Sequence, residues 1–342
     1  MKTHFYFTII TFLALFVSCE NNHNAIELEN KEWNQNKAIR LDQVLSKSND
    51  AAFIHEQYTA YPELYENFYS RMLRMGASED LANKSKVDSL VIPNLNAFIN
   101  DTSMKLIFKG INEKFSNLEY YENEISKGFA RTNQLFGTSK NISIGTFYSN
   151  FNATVLENDN VIWIGLDMYL GTDHPIIDML PITSIPQFYK DKMREKYIVS
   201  DVFFGYLMSI IYKPLGDEFL ARMLAYGKIA YVMSLILPDE NEGNKFRYDD
   251  QEINWCKSNE ENIWRHIIDN QLLFEKDPSK VDLFFNDAPF TKNFGKDSPS
   301  GIGIWLGYQI IADYANKTKQ SVKEIIKEEN IQKLLSTYEP NK

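Results

Sequence analysis

Two apolar stretches lie close together in the second half of the chain, Tyr197–Tyr212 and Phe219–Leu237. Neither suits a surface, and neither reads as a membrane span. The first is too short and contains Asp201. The second has about the length a bilayer requires but carries Arg222 and Lys228. Charges are costly in hydrocarbon, whereas inside a protein they can be paired. Both stretches therefore read as buried core helices, and the rest of the chain must be built around them. Asp201 then becomes a buried carboxylate in need of a partner, and Arg222 or Lys228 is the expected one.

The flanking pattern is mostly helical. Between Lys31 and Gly137, Tyr61, Leu64, Tyr65 and Phe68 recur at helical spacing, and Gly76 ends that segment. Leu81–Phe98 and Met104–Phe115 continue as helices, with Pro93 expected to kink or split the former. The texture changes at Asn141. Ile142, Ile144 and Thr146 alternate with Ser143, Gly145 and Phe147 as a strand would, and a hairpin is expected near Asn158 between Thr154–Leu156 and Val161–Ile164.

Thr172–Pro186, with three prolines, reads as a loop. Helices are expected over Gln187–Ile211, to Leu237, and from Asp249 to about Phe274, where Glu252 makes a capping box with Asp249. Val281–Gly303 reads as loop, and Ile304–Lys317 and Ser321–Lys327 as closing helices. The expected fold is a mostly helical α+β domain over residues 31–340, with a small sheet near residues 141–165 and no internal boundary.

The amino terminus carries a separate message. Lys2 precedes an apolar run, Phe5–Val17, of the length of a signal-peptide core and too short for a spanning helix. The run ends Leu15-Phe16-Val17-Ser18-Cys19, which resembles the lipobox of bacterial lipoproteins. Residues 1–18 are thus expected to be a cleaved signal peptide, Cys19 the lipidated first residue, and residues 19–30 a polar tether. The only other cysteine, Cys256, then has no partner, so no disulfide supports the fold. The net charge of −10 argues against nucleic acid and against attraction to anionic headgroups.

Three stretches resemble the gliding motility lipoprotein GldB family of the Bacteroidetes. They are Trp163–Gly171 with Asp173-His174-Pro175; Asn254-Trp255-Cys256 with Ile263-Trp264-Arg265, expected on one helix; and Ala288-Pro289-Phe290 through Ser298-Pro299 to Gly301–Ile310. The resemblance implies a membrane held through a lipid anchor and envelope partners in the gliding and associated secretion machinery. It implies no chemical activity, and neither which membrane nor which face holds the anchor.

The order of elements is more distantly similar to zincin-type zinc metallopeptidases, which place His-Glu-x-x-His on the first helix after the sheet. Here Ser200-Asp201-Val202-Phe203-Phe204 stands about where that motif belongs, without histidine, and Tyr226-Gly227 where a Glu ligand would follow. The expectation is a zincin-like scaffold without its metal, its groove between the Ile198 and Phe219 helices.

The remaining constellations are weak. His4 leaves with the signal peptide, His23 lies in the tether, and His55-Glu56 lacks a second histidine at Thr59. Asp173-His174 reads as a loop cap and His266 as a structural hydrogen-bonder. Trp305, beside Gly303 and Gly307, reads as packing. There is no Gly-x-Ser-x-Gly elbow, and Gly301-x-Gly303 lacks a phosphate-binding context, so no nucleotide, metal or other cofactor is assigned. The expected function is a non-catalytic envelope lipoprotein acting through protein contacts. The rivals are a divergent hydrolase using the same groove and a carbohydrate-capture lipoprotein, since tryptophans and tyrosines could stack on sugars.

Overall fold

The structure, a computed structural model, describes residues 26–28, 37–43, a scatter of positions between 56 and 73, and 76–341 apart from 159. Cys19, His4, His23, His55 and most of the helix expected over Tyr61, Leu64, Tyr65 and Phe68 lie outside the described residues.

A short strand, β1 (Ile39–Arg40), precedes helices α1 (Ile92–Asn100), α2 (Thr102–Lys114) and α3 (Glu119–Phe136). The helix expected over 81–98 is divided. A first piece, Ser78–Ala82, stops at Asn83, and a widened turn over Val87–Val91 feeds α1. Pro93, in the first turn of α1, accounts for the widened turn. It has no N–H to donate and its ring crowds the carbonyl four residues back, so the turn ahead of it opens and Ile92 N donates to Val87 O, five back.

The sheet holds β2 (Ser143–Phe147), β3 (Val155–Asn158) and β4 (Val161–Gly165), in the order β1-β2-β4-β3. The expected hairpin is present. Asn158 pairs with Val161 across a two-residue turn in which Asn160 takes a left-handed φ of 64°. The sheet is nevertheless mixed, because β2 runs parallel to both β1 and β4. Its two central strands are buried on both faces from Ile144 to Phe147 and from Val161 to Gly165. Parallel strands are normally covered on both sides, and β3 is left as an edge.

Beyond the sheet, α4 (Pro175–Met179) forms inside the segment expected to be loop, with Pro175 in its first turn and His174 as its cap. The helix expected over 187–211 is also broken. Gln187–Lys190 is a single turn, Leu170 then bridges Arg194, and only afterwards does α5 (Ile198–Ile211) begin.

Helix α6 (Phe219–Ile236) is long and apolar enough to cross a membrane by composition, yet 89% of it is buried inside the protein. It has no polar face because it serves two cores. Ile229, Val232, Met233 and Ile236 pack with α5 and the sheet. Phe219, Leu220, Met223, Leu224, Tyr231 and Leu235 pack with the carboxyl-terminal helices. A helix covered on all sides loses the one-sided periodicity of a surface helix.

Those carboxyl-terminal helices are α7 (Asp250–Ser258), α8 (Glu260–Asp269), α9 (Ile302–Thr318), α10 (Val322–Lys327) and α11 (Ile331–Leu335). The Asp249–Glu252 capping box opens α7 as expected. The helix does not continue to Phe274, however. It stops at Asn259, whose side chain turns back to Trp255 O at 2.9 Å. Trp255 and Trp264 therefore stand on different helices, and His266 shares its helix with Trp264 alone. At the centre of this half α6 crosses α9 at Gly227 and Gly307, where backbone meets backbone. A Cβ on Gly307 would lie 2.1 Å from Met223 O, and one on Gly227 2.3 Å from Gly307 O.

Lys228 follows that crossing. It is buried, and its amine donates to Ile326 O at 3.1 Å and to Glu328 O, satisfying carbonyls at the end of α10. Burial pushes its pKa down to about 8, from 10.5 in an unfolded chain. The fold thus disfavours the ammonium, and stability from this group rises as pH climbs from 8 towards 10.5. Against a Lys228→Met variant, wild type should gain about 1–2 kcal/mol of unfolding free energy between about pH 7 and about pH 9.5. Urea titrations of both proteins at the two pH values measure it.

Candidate functional site

A cleft of about 620 Å³ opens between α5 and α6, where the sequence places a groove. Ser200, Asp201, Phe204 and Gly205 face it from α5, and Arg222 and Tyr226 from α6. Thr154 and Val155, on and beside edge strand β3, close one wall. The segment Lys245–Tyr248, following the break at Pro238 and Gly243, closes another.

Asp201 is largely buried at this site, its side chain 10% exposed, but neither expected partner meets it. Arg222 instead donates to Asp282 Oδ1 at 2.6 Å, and Lys228 is held by the α10 carbonyls. The partners of Asp201 are Tyr169, whose hydroxyl donates to Oδ2 at 2.8 Å, and Arg247, whose Nε lies 3.7 Å from Oδ1. The reason is placement: Arg222 lies towards the start of α6, next to Asp282, whereas Arg247 comes over the cleft from a tight turn. Arg247 itself takes a left-handed φ of 58°, a strained conformation for a residue with a side chain. Burial pushes the Asp201 carboxyl above its usual range, with Arg247 and Tyr169 pulling against it.

The ionic chain continues outward. Arg247 Nη2 donates to Lys192 O at 2.9 Å, and Lys192 Nζ returns a bond of 2.8 Å to Arg247 O. The same amine holds both oxygens of Glu252, at 2.8 and 2.6 Å. Glu252 thereby joins the cleft wall to the cap of α7.

One residue that the sequence reading does not single out fixes this geometry. Asp167, fully buried in the turn that follows β4, accepts from Ser149 N at 2.7 Å, Ser149 Oγ at 2.9 Å and Phe151 N at 2.6 Å. It thus clamps the turn in which Asn150 and Phe151 both adopt left-handed φ, of 57° and 54°. That turn delivers the chain to Thr154 and β3. Burial pushes the Asp167 pKa up to about 6 and the three donors oppose it, which leaves the group ionised at neutral pH.

The other candidates are structural. His174 Nδ1 accepts from Ile176 N at 3.3 Å as the cap of α4. His266 meets Asn270 at 3.3 Å and Asn293 at 3.0 Å, with its ring edge-on to Phe294. Cys256 is buried and free, and burial raises its thiol pKa. Trp305 is fully buried in the carboxyl-terminal core. Among the described residues, no group of three His, Cys, Asp or Glu side chains is placed to hold a metal. Lys192, Lys245 and Arg247 also escape the sequence reading. The available signal is two basic residues interleaved with aromatics in Lys245-Phe246-Arg247-Tyr248, directly after a helix break.

A small mixed sheet flanked by helices, with two buried central helices bordering an ionic cleft, defines the class as an α+β domain of mostly helical content. The family model described as gliding motility protein GldB matches residues 21–340, and the chain belongs to that family, the GldB gliding motility lipoproteins. No curated protein and no solved structure matches it.

Proposed function

We propose that this chain is a lipid-anchored, non-catalytic protein of the cell envelope that serves gliding and its associated secretion through contacts with other proteins. The family match over residues 21–340 carries the reading, since it takes in both cores and the cleft. The cleft chemistry supports it. Asp201 is bound to Tyr169 and faces Arg247, and Lys192 is spent on Glu252. The geometry holds these groups for one another rather than leaving a base poised beside a nucleophile. The anchor in this reading is Cys19, next to Ser18 at the end of the apolar run.

Two measurements test the proposal. In gliding cells, Cys19→Ala is expected to move the protein from the membrane to the soluble fraction and to abolish gliding; continued membrane attachment refutes the anchor. Purified protein is expected to leave peptide and polysaccharide libraries uncleaved. Turnover that disappears in Asp201→Asn would establish the hydrolase reading instead.

A further inference from the structure

The cleft has a second property, independent of the contact role: its buried donors lack acceptors. Ser200 Oγ is buried without a hydrogen-bond partner, and Arg247 Nε, also buried, has no hydrogen bond beyond its 3.7 Å ion pair with Asp201. Ser200 is 1% exposed and lines the cavity, so its unpaired hydroxyl is not relieved by bulk water. A buried polar group left unpaired costs about 1–3 kcal/mol, and natural folds rarely retain several in one place without a use for them. Lys245 lines the same cavity, half-buried, and its amine makes no hydrogen bond or salt bridge among the described residues. Burial holds that amine below the ordinary lysine range, against the weaker pull of Glu240, Glu242 and Asp239, none of which pairs with it.

The balance of charge points the same way. Lys192 is neutralised by Glu252, Arg222 by Asp282, and Arg247 partly by Asp201. The charge left inside is the positive one on Lys245. The remaining lining carboxylate, Asp287, is solvent-exposed at the rim, from where it acts on Arg247. What the interior lacks is acceptor oxygen.

The walls are aromatic. Tyr226 lies parallel to Phe204 at 6.3 Å and close to parallel with Phe285 at 5.9 Å, and the Arg222 guanidinium sits 4.7 Å above the Phe285 ring. Rings in this arrangement give flat apolar contact to a ligand body. The cavity of about 620 Å³ falls within the size range of small-molecule sites.

We propose that the cleft between α5 and α6 binds a small ligand bearing an oxyanion, a carboxylate or a phosphate, on a ring-sized body. The oxyanion accepts from Lys245, Arg247 and Ser200, and the body rests on Tyr226 and Phe285. Neither a metal nor a bond-breaking step is involved.

The test titrates the full mature chain in detergent, by calorimetry, with glucuronate, with inorganic phosphate and with glucose as the neutral counterpart of glucuronate. Glucuronate, phosphate or both should bind and glucose should not. Glucuronate alone assigns a sugar acid or related carboxylate, and phosphate alone a phosphorylated ligand. Lys245→Gln should weaken binding at least tenfold while the ligand-free melting temperature stays that of wild type, since Lys245 holds no salt bridge. Arg247→Lys should weaken it as well, because one amine cannot reproduce the guanidinium fork. The proposal is overturned if neither anion binds at millimolar concentration, if glucose binds as well as glucuronate, or if Lys245→Gln binds like wild type.

Discussion

Alanine at Gly307 should destabilise the protein by about 3 kcal/mol or more, or prevent its accumulation. On propensity alone the change is favourable, because glycine inside a helix costs about 1 kcal/mol relative to alanine. The crossing reverses the sign. The added methyl would lie 2.1 Å from Met223 O and 3.2 Å from Gly227 Cα, so it meets backbone that no rotamer change can move. Helices α6 and α9 must separate, and α6 is shared by both cores, so the disturbance reaches the whole molecule. Gly205→Ala is the matched control. Its Cβ meets only the Val155 side chain, Cγ1 at 3.3 Å and Cβ at 3.7 Å, on the cleft wall, and its effect should stay within about 1 kcal/mol. Urea denaturation of the two variants gives the comparison; equal stability would mean that the crossing is not tight.

Asp167→Asn is the second large effect, about 3–5 kcal/mol destabilising despite the near-identical shape of the side chains. The carboxylate accepts two backbone N–H groups and one hydroxyl with its two oxygens. An amide offers one oxygen and turns its NH2 towards donors, leaving at least one buried N–H unpaired. The turn at Asn150 and Phe151 then loses what holds two successive side-chain-bearing residues in left-handed conformation. Because this turn leads into β3, the wall formed by Thr154 and Val155 should loosen too. Faster amide exchange at Phe151 and along β3 would show this, and unchanged exchange would refute it.

Much of the fold was legible because local patterns and tertiary demands agreed. The apolar stretches at 197–212 and 219–237 could only be core, the alternation after Asn141 could only suit a strand, and the Asp249–Glu252 box sat where α7 begins. The failures came where long-range contacts decide. No local pattern announces β1, two residues long, or the parallel pairing of β2 with β4, which depends on a chain crossing over the turn that Asp167 holds. The break at Asn259 was hidden because Ile253, Cys256, Ile263 and Ile267 keep helical spacing across it.

The site shows the same division. Asp201 was recognisable as a charge in the wrong surroundings, and the groove beside it follows from the helix pair. Its partner was not recognisable, because proximity in sequence favoured Arg222 while Arg247 reaches the cleft through a strained turn. Asp167 lay inside the family-like stretch Trp163–Gly171 but resembled any surface acid until its donors were seen.

The leading residues bear on how far the protein can stand from its membrane. The polar tether expected over 19–30 is cut short, because Ile26 N already donates to Leu235 O at 3.3 Å and Glu27 O accepts from Gln134 at 2.9 Å. A lipid on Cys19 would lie at most about 25 Å from Ile26, the reach of seven fully extended residues. The mooring point is the carboxyl end of α6, whereas the cleft borders Arg222, about 20 Å back along the same helix. A lipid on Cys19, as proposed above, would berth the body close to the bilayer by one end of its central helix, with the cleft towards the other.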